Sequence, residues 1–500
     1  MRGPSLTRIT RGAVAALILF NLGFSSAPSS IPSSILARHG QILASPDAFP
    51  SGFRWCVATA AHQIEGDNIH SDWWEWENRP PACGPQGCVC KIRDCEKSGV
   101  AADHWNRLEE DTELLRRLGV QQYRLSIEWA KIEPRRGFYD EAAIVHYRRE
   151  IELLQQAGIE PMITLHHFTL PLWLSRQGGW TWPGSADAFR KFTAIVYTRV
   201  APGVRDWVTF NEPLVHLGGG YVTGQTPPGF GATQGAPSAE DFRRLYPAVR
   251  GLLLAHRDAY RELHRLARLH TQKPVRVGFA HHLRVFDPAR SANLLDRLGA
   301  GFVDTLWNWM ISDAIATGKL TLSVPFVFHY SETIEGLEGT EDFFGVNYYT
   351  RDRVRLEVLP KFNFRVEQTP ETARNDLGWE IYPEGFYRVL KEVAARRPGL
   401  PVIVTENGLA DRMDAKRTQF LRDHLQALHR AIQDGVPVEA YCHWSLLDNF
   451  EWIEGFGPRF GLYEVDYATQ QRTLRPSGEV FSRMTRENRW KVQNARAAGR

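Results

Sequence analysis

Three segments of this chain share one pattern, in which an amphipathic helix ends at a glycine and a short apolar strand follows. The helical segments are 103–118, 141–157 and 417–434. In the last of them Leu421, Leu425, Leu428 and Ile432 recur at helical spacing, with charged residues between them. The glycines are Gly119, Gly158 and Gly435. Helix, glycine and strand in this order are typical of a parallel sheet whose strands alternate with helices.

Five further apolar runs have the length and composition of strands. They lie at 53–59, 206–210, 275–280, 343–348 and 401–405. Together with the three strands above they make eight, spread from residue 53 to residue 444. Eight parallel strands in one chain predict an α/β fold, a single (β/α)8 TIM barrel with loop insertions.

The domain prediction follows from this spread, because all eight strands are needed to close one barrel. No internal repeat and no shift in composition marks a second domain. We predict a signal peptide over 1–27, a leader or linker over 28–48, the barrel domain over 49–488 and a basic tail over 489–500.

The first 27 residues have the order of a secretory signal: arginines, an apolar run over 12–24, then small residues. The apolar run is too short to span a bilayer comfortably, so a lasting membrane anchor is the weaker alternative. We therefore expect an exported protein, secreted or periplasmic, with no stable membrane span; the cleavage site stays open.

The charge argues against a polyanionic partner. The chain has 60 Lys and Arg against 57 Asp and Glu, a net charge of +3. Arg2, Arg8 and Arg11 lie in the predicted signal, which has no acidic residue, so the remainder sums to zero (57 against 57). A neutral body has no electrostatic footprint for nucleic acid.

Four of the six cysteines form a cluster, Cys83, Cys88, Cys90 and Cys95. Two disulfides are the favoured interpretation in an exported protein, paired 83–88 with 90–95 or 83–90 with 88–95; a zinc site is the alternative. We expect these disulfides to order a loop that overhangs the barrel mouth. Cys442, inside an apolar strand, is interpreted as a small buried hydrophobic residue.

Polar residues stand at the carboxyl ends of the predicted strands, where barrel enzymes carry their reacting groups. They are Gln63, Arg124, His166, His167, Asn211, Glu212, Asn347, Tyr349, Glu406, Trp444 and Asp448, with Glu451 just beyond. Two glutamates at one barrel mouth are the minimum for cleaving a glycosidic bond, because one carboxyl must donate a proton while the other is ionised.

The motifs around these residues resemble those of glycoside hydrolase family 1, the β-glucosidase and β-galactosidase family. Thr-Phe-Asn-Glu-Pro at 209–213 and Val-Thr-Glu-Asn-Gly at 404–408 are similar to its two signature motifs. Five other segments match in family order, at 58–66, 123–129, 344–349, 378–383 and 444–452.

The resemblance implies a retaining, exo-acting β-glycosidase, with Glu406 as the nucleophile and Glu212 as the acid/base. It also implies that Arg124 and Tyr349 hold the nucleophile and that Asn211 contacts the sugar 2-hydroxyl. The residues around the non-reducing sugar would be Gln63, His167, Trp444, Glu451 and Trp452. An ionised Glu451 is expected to repel phosphate, so the substrates would be unphosphorylated β-D-glucosides or β-D-galactosides, as small molecules or oligosaccharides.

The family needs no cofactor and no metal, and the sequence suggests neither. Two alternatives stay open: a non-catalytic glycan-binding or receptor module on the same scaffold, and a transglycosylase that uses the same residues. The sequence departs from the family pattern at Cys56, His62 and Phe168, which bears on fine specificity. Trp73, Trp74 and Trp76 would line an outer sugar subsite or pack in the core. The oligomeric state is not predicted.

Overall fold

The computed structural model of the chain describes residues 46–84, 87–231, 239–324, 328–357, 363–367 and 372–492. The predicted signal at 1–27 lies outside the described residues, as do most of the leader at 28–48 and of the tail at 489–500. Among the described residues, no helix has the length and apolar character needed to cross a membrane.

Eight parallel strands close into a barrel, which confirms the predicted (β/α)8 fold. They are β1 Arg54–Ala58, β2 Gln122–Ser126, β3 Glu160–His166, β4 Asp206–Asn211, β5 Arg276–Pro288, β6 Phe343–Glu357, β7 Val402–Asn407 and β8 Val438–Trp444. Each strand pairs with its neighbours in chain order, and β8 pairs with β1.

Eight main helices accompany the strands in the described part of the chain. They are α1 Leu108–Leu118, α2 Glu141–Gln156, α3 Ser185–Ile195, α4 Ala239–Leu266, α5 Leu294–Asp304, α6 Pro383–Arg396, α7 Arg417–Gln433 and α8 Pro476–Glu487. The predicted glycine stop is visible after α1, where Gly119 takes φ +77°, a left-handed conformation that only glycine adopts at no steric cost. Acidic residues fill the first turn of α1 and arginines its last, as the helix dipole favours.

Among the residues that the structure describes, the connections contain short helices and three two-stranded hairpins. The short helices are Ala61–Ile64, Asp72–Glu77, Trp129–Ile132, Leu172–Ser175, Pro213–Leu217 and Met310–Thr317. The hairpins pair Ala82–Gly84 with Gly87–Val89, Lys319–Val324 with Phe328–Thr333, and Tyr463–Asp466 with Gln471–Leu474. These are the loop insertions that the chain length required.

Strands β5 and β6 continue well beyond the ends predicted at 280 and 348. Their pairing resumes at Arg351 and Val285, and the outer part of β6 also pairs with Asn363–Glu367. The prediction stopped too early because the outer residues are polar, whereas ion pairs such as Arg284–Asp352 (2.7 Å) stabilise the pairing there. Side chains of this ribbon therefore reach the barrel mouth.

The barrel interior is layered. At the amino-terminal end of the strands, buried Asp206 accepts hydrogen bonds from Arg54 (2.7 Å), Arg276 (2.8 Å) and Gln122 (2.9 Å). Above it lies an apolar layer formed by Met162, Val208, Ala280, Phe343, Ile403 and Ala440. This apolar layer separates the ionic layer below from the polar residues at the carboxyl ends of the strands.

All six cysteines are paired, which corrects one prediction. Cys83–Cys88 and Cys90–Cys95 form one of the two predicted pairings. Cys442 is not a lone hydrophobic residue: it bonds to Cys56, its partner in the register between β8 and β1. Sequence reasoning missed this bond because only closure of the barrel brings two residues 386 positions apart into adjacent strands.

Candidate active site

The predicted site residues meet at the carboxyl ends of the strands. Arg124, Asn211 and Glu406 come from three different strands and are almost fully buried, with exposed fractions of 0%, 1% and 3%. Buried charges persist only where they are paired and hydrogen-bonded. The contacts that follow satisfy this requirement.

Glu406 is held by two donors. Arg124 Nη1 donates to its Oε1 at 2.6 Å, and the Tyr349 hydroxyl donates to its Oε2 at 2.7 Å. Arg124 is itself fixed, because Nη1 also donates to the Thr405 carbonyl, while Nε donates to Thr164 and Nη2 to Asn211. Both oxygens of Glu406 therefore have fixed positions, and the cation beside them favours the ionised form.

Glu212 is connected to this group through two asparagines. Asn347 Nδ2 lies 2.9 Å from Glu212 Oε1 and 3.1 Å from Asn211 Oδ1, which also accepts from Arg124 at 2.7 Å. The backbone of Glu212 takes φ +43°, a conformation that residues other than glycine rarely adopt. The backbone at the end of β4 and the hydrogen bonds together thus fix the direction of its side chain. The Asn347 contact was not predicted, although Asn347 was noted at its strand end.

The two carboxyls influence each other's ionisation. Burial raises the pKa of Glu406, Arg124 opposes this, and the charge of Glu212 raises the pKa further. Burial acts on Glu212 too, but the neighbouring His282 and the hydrogen bond from Asn347 lower the pKa of Glu212. Since neighbouring carboxylates disfavour each other's ionisation, the pair retains a proton more readily than two separate carboxyls would. Which of the two holds the proton depends on the charge of His282.

The other predicted binding residues lie together beside this pair and form its candidate sugar pocket. Gln63 Nε2 donates to Asn449, to the Phe450 carbonyl and, at 3.3 Å, to Glu451. Its Oε1 is buried and has no protein partner in the described part of the chain. Asn211 Nδ2 donates to His167 Nε2 at 3.0 Å, so the His167 proton lies on Nδ1, which is also buried without a partner. One free acceptor and one free donor match the neighbouring hydroxyls of a sugar.

Trp444 and Trp452 form aromatic walls of this pocket. The His167 ring stacks against both, with centroids 5.8 and 6.0 Å apart. His62 and Phe168, two departures from the family pattern, both pack on Trp452, at 5.5 and 4.9 Å. They therefore set the position of one wall.

Glu451 differs from its expected state. Burial raises the pKa of Glu451 to about 8, and the charges of Glu406 and Glu212 act in the same direction. Near neutral pH this carboxyl therefore carries a proton, whereas the sequence suggested an ionised group.

Two other groups of aromatic residues belong to the core. Trp73 and Trp76 are 2% and 1% exposed and pack with Ile92 and Phe450, which favours core packing over an outer subsite. His166 packs against Trp180, Phe210 and His216, on the outer side of its strand. Within the described residues, no group of three or more His, Cys, Asp or Glu is arranged to hold a metal ion.

Comparison with known proteins decides the family. The family model described as glycosyl hydrolase family 1 matches residues 45–490. The chain belongs to glycosyl hydrolase family 1. It is therefore an enzyme, an O-glycosyl hydrolase with β-glycosidase activity, and the non-catalytic alternative is set aside.

Family 1 relatives match over most of their lengths. The chain is 33% identical to β-glucosidase A of Thermotoga maritima over 463 residues, which cover 88% of this chain and 98% of the relative. It is 30% identical to a β-galactosidase of Pyrococcus woesei, covering 88% and 97%.

Solved family 1 structures agree with the fold. A β-glycosidase from Pyrococcus horikoshii has a TM-score of 0.77 at 36% identity, covering 90% of this chain and 97% of that one. A T. maritima β-glucosidase in complex with castanospermine has a TM-score of 0.78 at 30% identity, covering 89% of this chain and 100% of that one.

Proposed function

We propose that this enzyme is a retaining, exo-acting β-glycosidase that hydrolyses unphosphorylated β-D-glucosides and β-D-galactosides. Glu406 is the nucleophile and Glu212 the acid/base. The observation that carries the proposal is the unequal environment of the two carboxyls: Glu406 contacts the Arg124 cation, and Glu212 does not. Two glutamates in different environments are what a double displacement needs.

In the first step, ionised Glu406 attacks the anomeric carbon and Glu212 gives its proton to the departing glycosidic oxygen. The bond between the anomeric carbon and that oxygen breaks, and a glycosyl ester of Glu406 forms. In the second step Glu212, now ionised, takes a proton from water, whose oxygen attacks the anomeric carbon and releases Glu406. Two inversions retain the configuration.

Pocket polarity supports exo action on an unphosphorylated terminal sugar. Gln63 and Glu451 lie in contact at 3.3 Å and offer hydrogen-bonding groups to the hydroxyls farthest from the cleaved bond. A phosphate there would add negative charge beside Glu451, whose pKa the charges of Glu406 and Glu212 already raise. The names of the relatives, a β-glucosidase and a β-galactosidase, support the two sugars.

We also propose that the enzyme is exported. The arginine-led apolar amino terminus supports this, and so do the three disulfides, because such bonds persist in oxidising compartments.

The test is trapping with a 2-deoxy-2-fluoro glucoside, followed by peptide mapping, with ¹H NMR of the anomer that the untreated enzyme first releases. We expect the label on Glu406 and a β anomer. The Glu212→Ala variant should lose about 100- to 10,000-fold in kcat/KM on substrates with poor leaving groups. Azide should restore its turnover of activated aryl glycosides as a β-glycosyl azide. A label on another residue, or an α anomer as first product, would overturn the assignment.

A further inference from the structure

One imidazole that the proposed mechanism does not use lies against the acid/base candidate. His282 stands on the outer part of β5, with its Nδ1 3.1 Å from Glu212 Oε2, at contact distance but not aligned for a hydrogen bond. Both side chains are nearly buried, with exposed fractions of 9% and 8%. Since Asn347 donates to Oε1, the two oxygens of Glu212 face two different groups.

The proton of this imidazole can be placed from its second contact. Arg284 Nε donates to His282 Nε2 at 3.2 Å. A guanidinium has donors only, so Nε2 must be the acceptor and carries no proton. His282 is therefore neutral, with its proton on Nδ1, the nitrogen beside Glu212.

Arg284 is itself held in place. Its Nη1 donates to Asp352 on β6 at 2.7 Å, and its guanidinium lies 6.0 Å from the rings of Trp307 and Trp379. The His282 ring packs between Trp307 at 5.9 Å and Tyr349 at 6.0 Å. Aromatic residues therefore hinder the rotation that would exchange its two nitrogens.

The charged and titratable groups that face His282 come from three strands. Glu212 belongs to the end of β4, Arg284 to β5, and Tyr349 and Asp352 to β6. A protonated His282 would strongly favour ionised Glu212, which could then not donate its proton. A neutral Nδ1–H supports the ionised form more weakly, so both states of Glu212 remain accessible.

We propose that His282, fixed by Arg284 as the neutral Nδ1–H tautomer, is a positioning residue that orients Glu212 and keeps it able both to donate and to accept the proton of the reaction. Arg284 acts through the imidazole: by occupying Nε2 it prevents His282 from becoming a cation. This inference rests on the proposed acid/base role of Glu212.

Two variants test separately the two contacts of this relay, Arg284 to His282 and His282 to Glu212. His282→Leu removes the imidazole N–H that lies beside the Glu212 carboxyl, so the pKa of Glu212 should rise by up to about one unit. Arg284→Met frees Nε2 for a proton, so a cation nearer to Glu212 replaces the one that is lost, and the pKa of Glu212 should fall. Arg388→Met is the matched control, because Arg388 pairs with Asp287, also on β5, without contacting His282.

The readouts are two NMR titrations and a pH profile. In a Glu406→Gln background, the ¹³C signal of the Glu212 carboxyl, assigned with Glu212→Gln, should titrate higher in His282→Leu and lower in Arg284→Met. The ¹⁵N shifts of His282 should show a protonated Nδ1 and a bare Nε2 at pH 7, and a second proton only in Arg284→Met. With Glu406 intact, the basic limb of kcat/KM should move in the same directions.

The relay would be overturned if the titration of the Glu212 carboxyl did not move in either variant, or moved in the same direction in both. If the titrations move apart while the basic limb stays fixed, the relay stands and the acid/base assignment of Glu212 fails. A shift in the Arg388→Met control would show that these titrations respond to any lost cation, which also overturns the proposal.

Discussion

At the scale of single residues, the two carboxyls differ in their donors. Glu406 receives one hydrogen bond from a guanidinium and one from a phenol, while the donor to Glu212 Oε1 is a neutral amide. Hydrogen bonds to a charged group stabilise it more than those between neutral groups. The hydrogen bond from Tyr349 therefore stabilises the ionised form of the proposed nucleophile directly.

We predict that Tyr349→Phe will raise the pKa of Glu406, because the lost hydrogen bond favours the ionised form. The acid limb of the kcat/KM profile should move to higher pH. Near neutral pH, kcat should fall by about 10- to 100-fold, the equivalent of a hydrogen bond to a charged group. Steady-state kinetics from pH 4 to 9 on an aryl glucoside would check this. A profile that keeps its acid limb while losing activity would contradict the prediction.

Most residues of the pocket could be predicted, because strand ends and motifs identify them without knowledge of the contacts. His282 could not. Its strand was predicted to end at residue 280, and an imidazole two positions later in a polar run has no signal that points to the pocket. The pairing of β5 with β6 beyond the barrel brings it there.

At the scale of elements, the stapled loop at 82–96 contacts a segment that carries two predicted sugar ligands. Arg93 pairs with Glu454 at 2.5 Å, and the Phe456 amide donates to Glu96 at 2.5 Å. Ile92, 2% exposed, packs beside Phe450. These residues surround the Cys90–Cys95 bond and hold the segment 450–456, which includes Glu451 and Trp452. We also expect this loop to border the aglycone side of the pocket, and this stays a prediction.

We predict that the double variant Cys90→Ser, Cys95→Ser will raise KM for a small aryl glucoside by about fivefold, equivalent to roughly 1 kcal/mol, because its binding segment is less well held. The effect on kcat should be smaller. The matched control is Cys83→Ser, Cys88→Ser, which opens the neighbouring hairpin and leaves the Arg93 and Glu96 contacts intact. Equal changes in the two double variants would count against the prediction.

At the scale of the whole molecule, a buried polar cluster joins distant parts of the chain. His104 contacts Asp111 of α1 at 2.7 Å and Glu150 of α2 at 3.1 Å. Arg472, from the last hairpin, donates to Asp111 at 2.9 Å. Burial lowers the pKa of His104, but the hydrogen bonds that its ring donates to Asp111 and Glu150 outweigh it and raise the pKa to about 10.

A raised histidine pKa stabilises the fold below the unfolded value of 6.5, and this stabilisation is lost as pH rises toward 10. We predict that the free energy of unfolding of the native enzyme will fall by at least about 1.4 kcal/mol between pH 6.5 and 9.5, the equivalent of one pKa unit. Thermal unfolding at the two pH values measures this. His104→Gln should be less stable at pH 6.5 and approach the native enzyme at pH 9.5.

The control for this prediction is His146→Gln, because His146 lies on α2 one turn before Glu150. Burial lowers the pKa of His146, so its charge contributes nothing above pH 6.5. Parallel stability curves for the native enzyme and His104→Gln would refute the role of the cluster.

The global fold was the most predictable level, because helix, glycine and strand recur along the chain and eight strands close only one way. Bonds between distant strands were the least predictable. The pairing of Cys56 with Cys442 follows from closure and register, which no local pattern encodes.

That bond changes the topology of the molecule. It makes the chain from Cys56 to Cys442 a covalent ring that contains strands β2 to β7 and the adjoining parts of β1 and β8. A protease that cuts one loop of the ring cannot release a fragment, because the disulfide between β1 and β8 still joins the two pieces. A force that pulls on the two ends of the chain passes through the sulfur atoms and extends only the segments outside the ring. Both proposed catalytic glutamates thus lie on a stretch of chain that neither a single nick nor tension at the ends can unravel, whereas Trp444, Glu451 and Trp452 follow the ring.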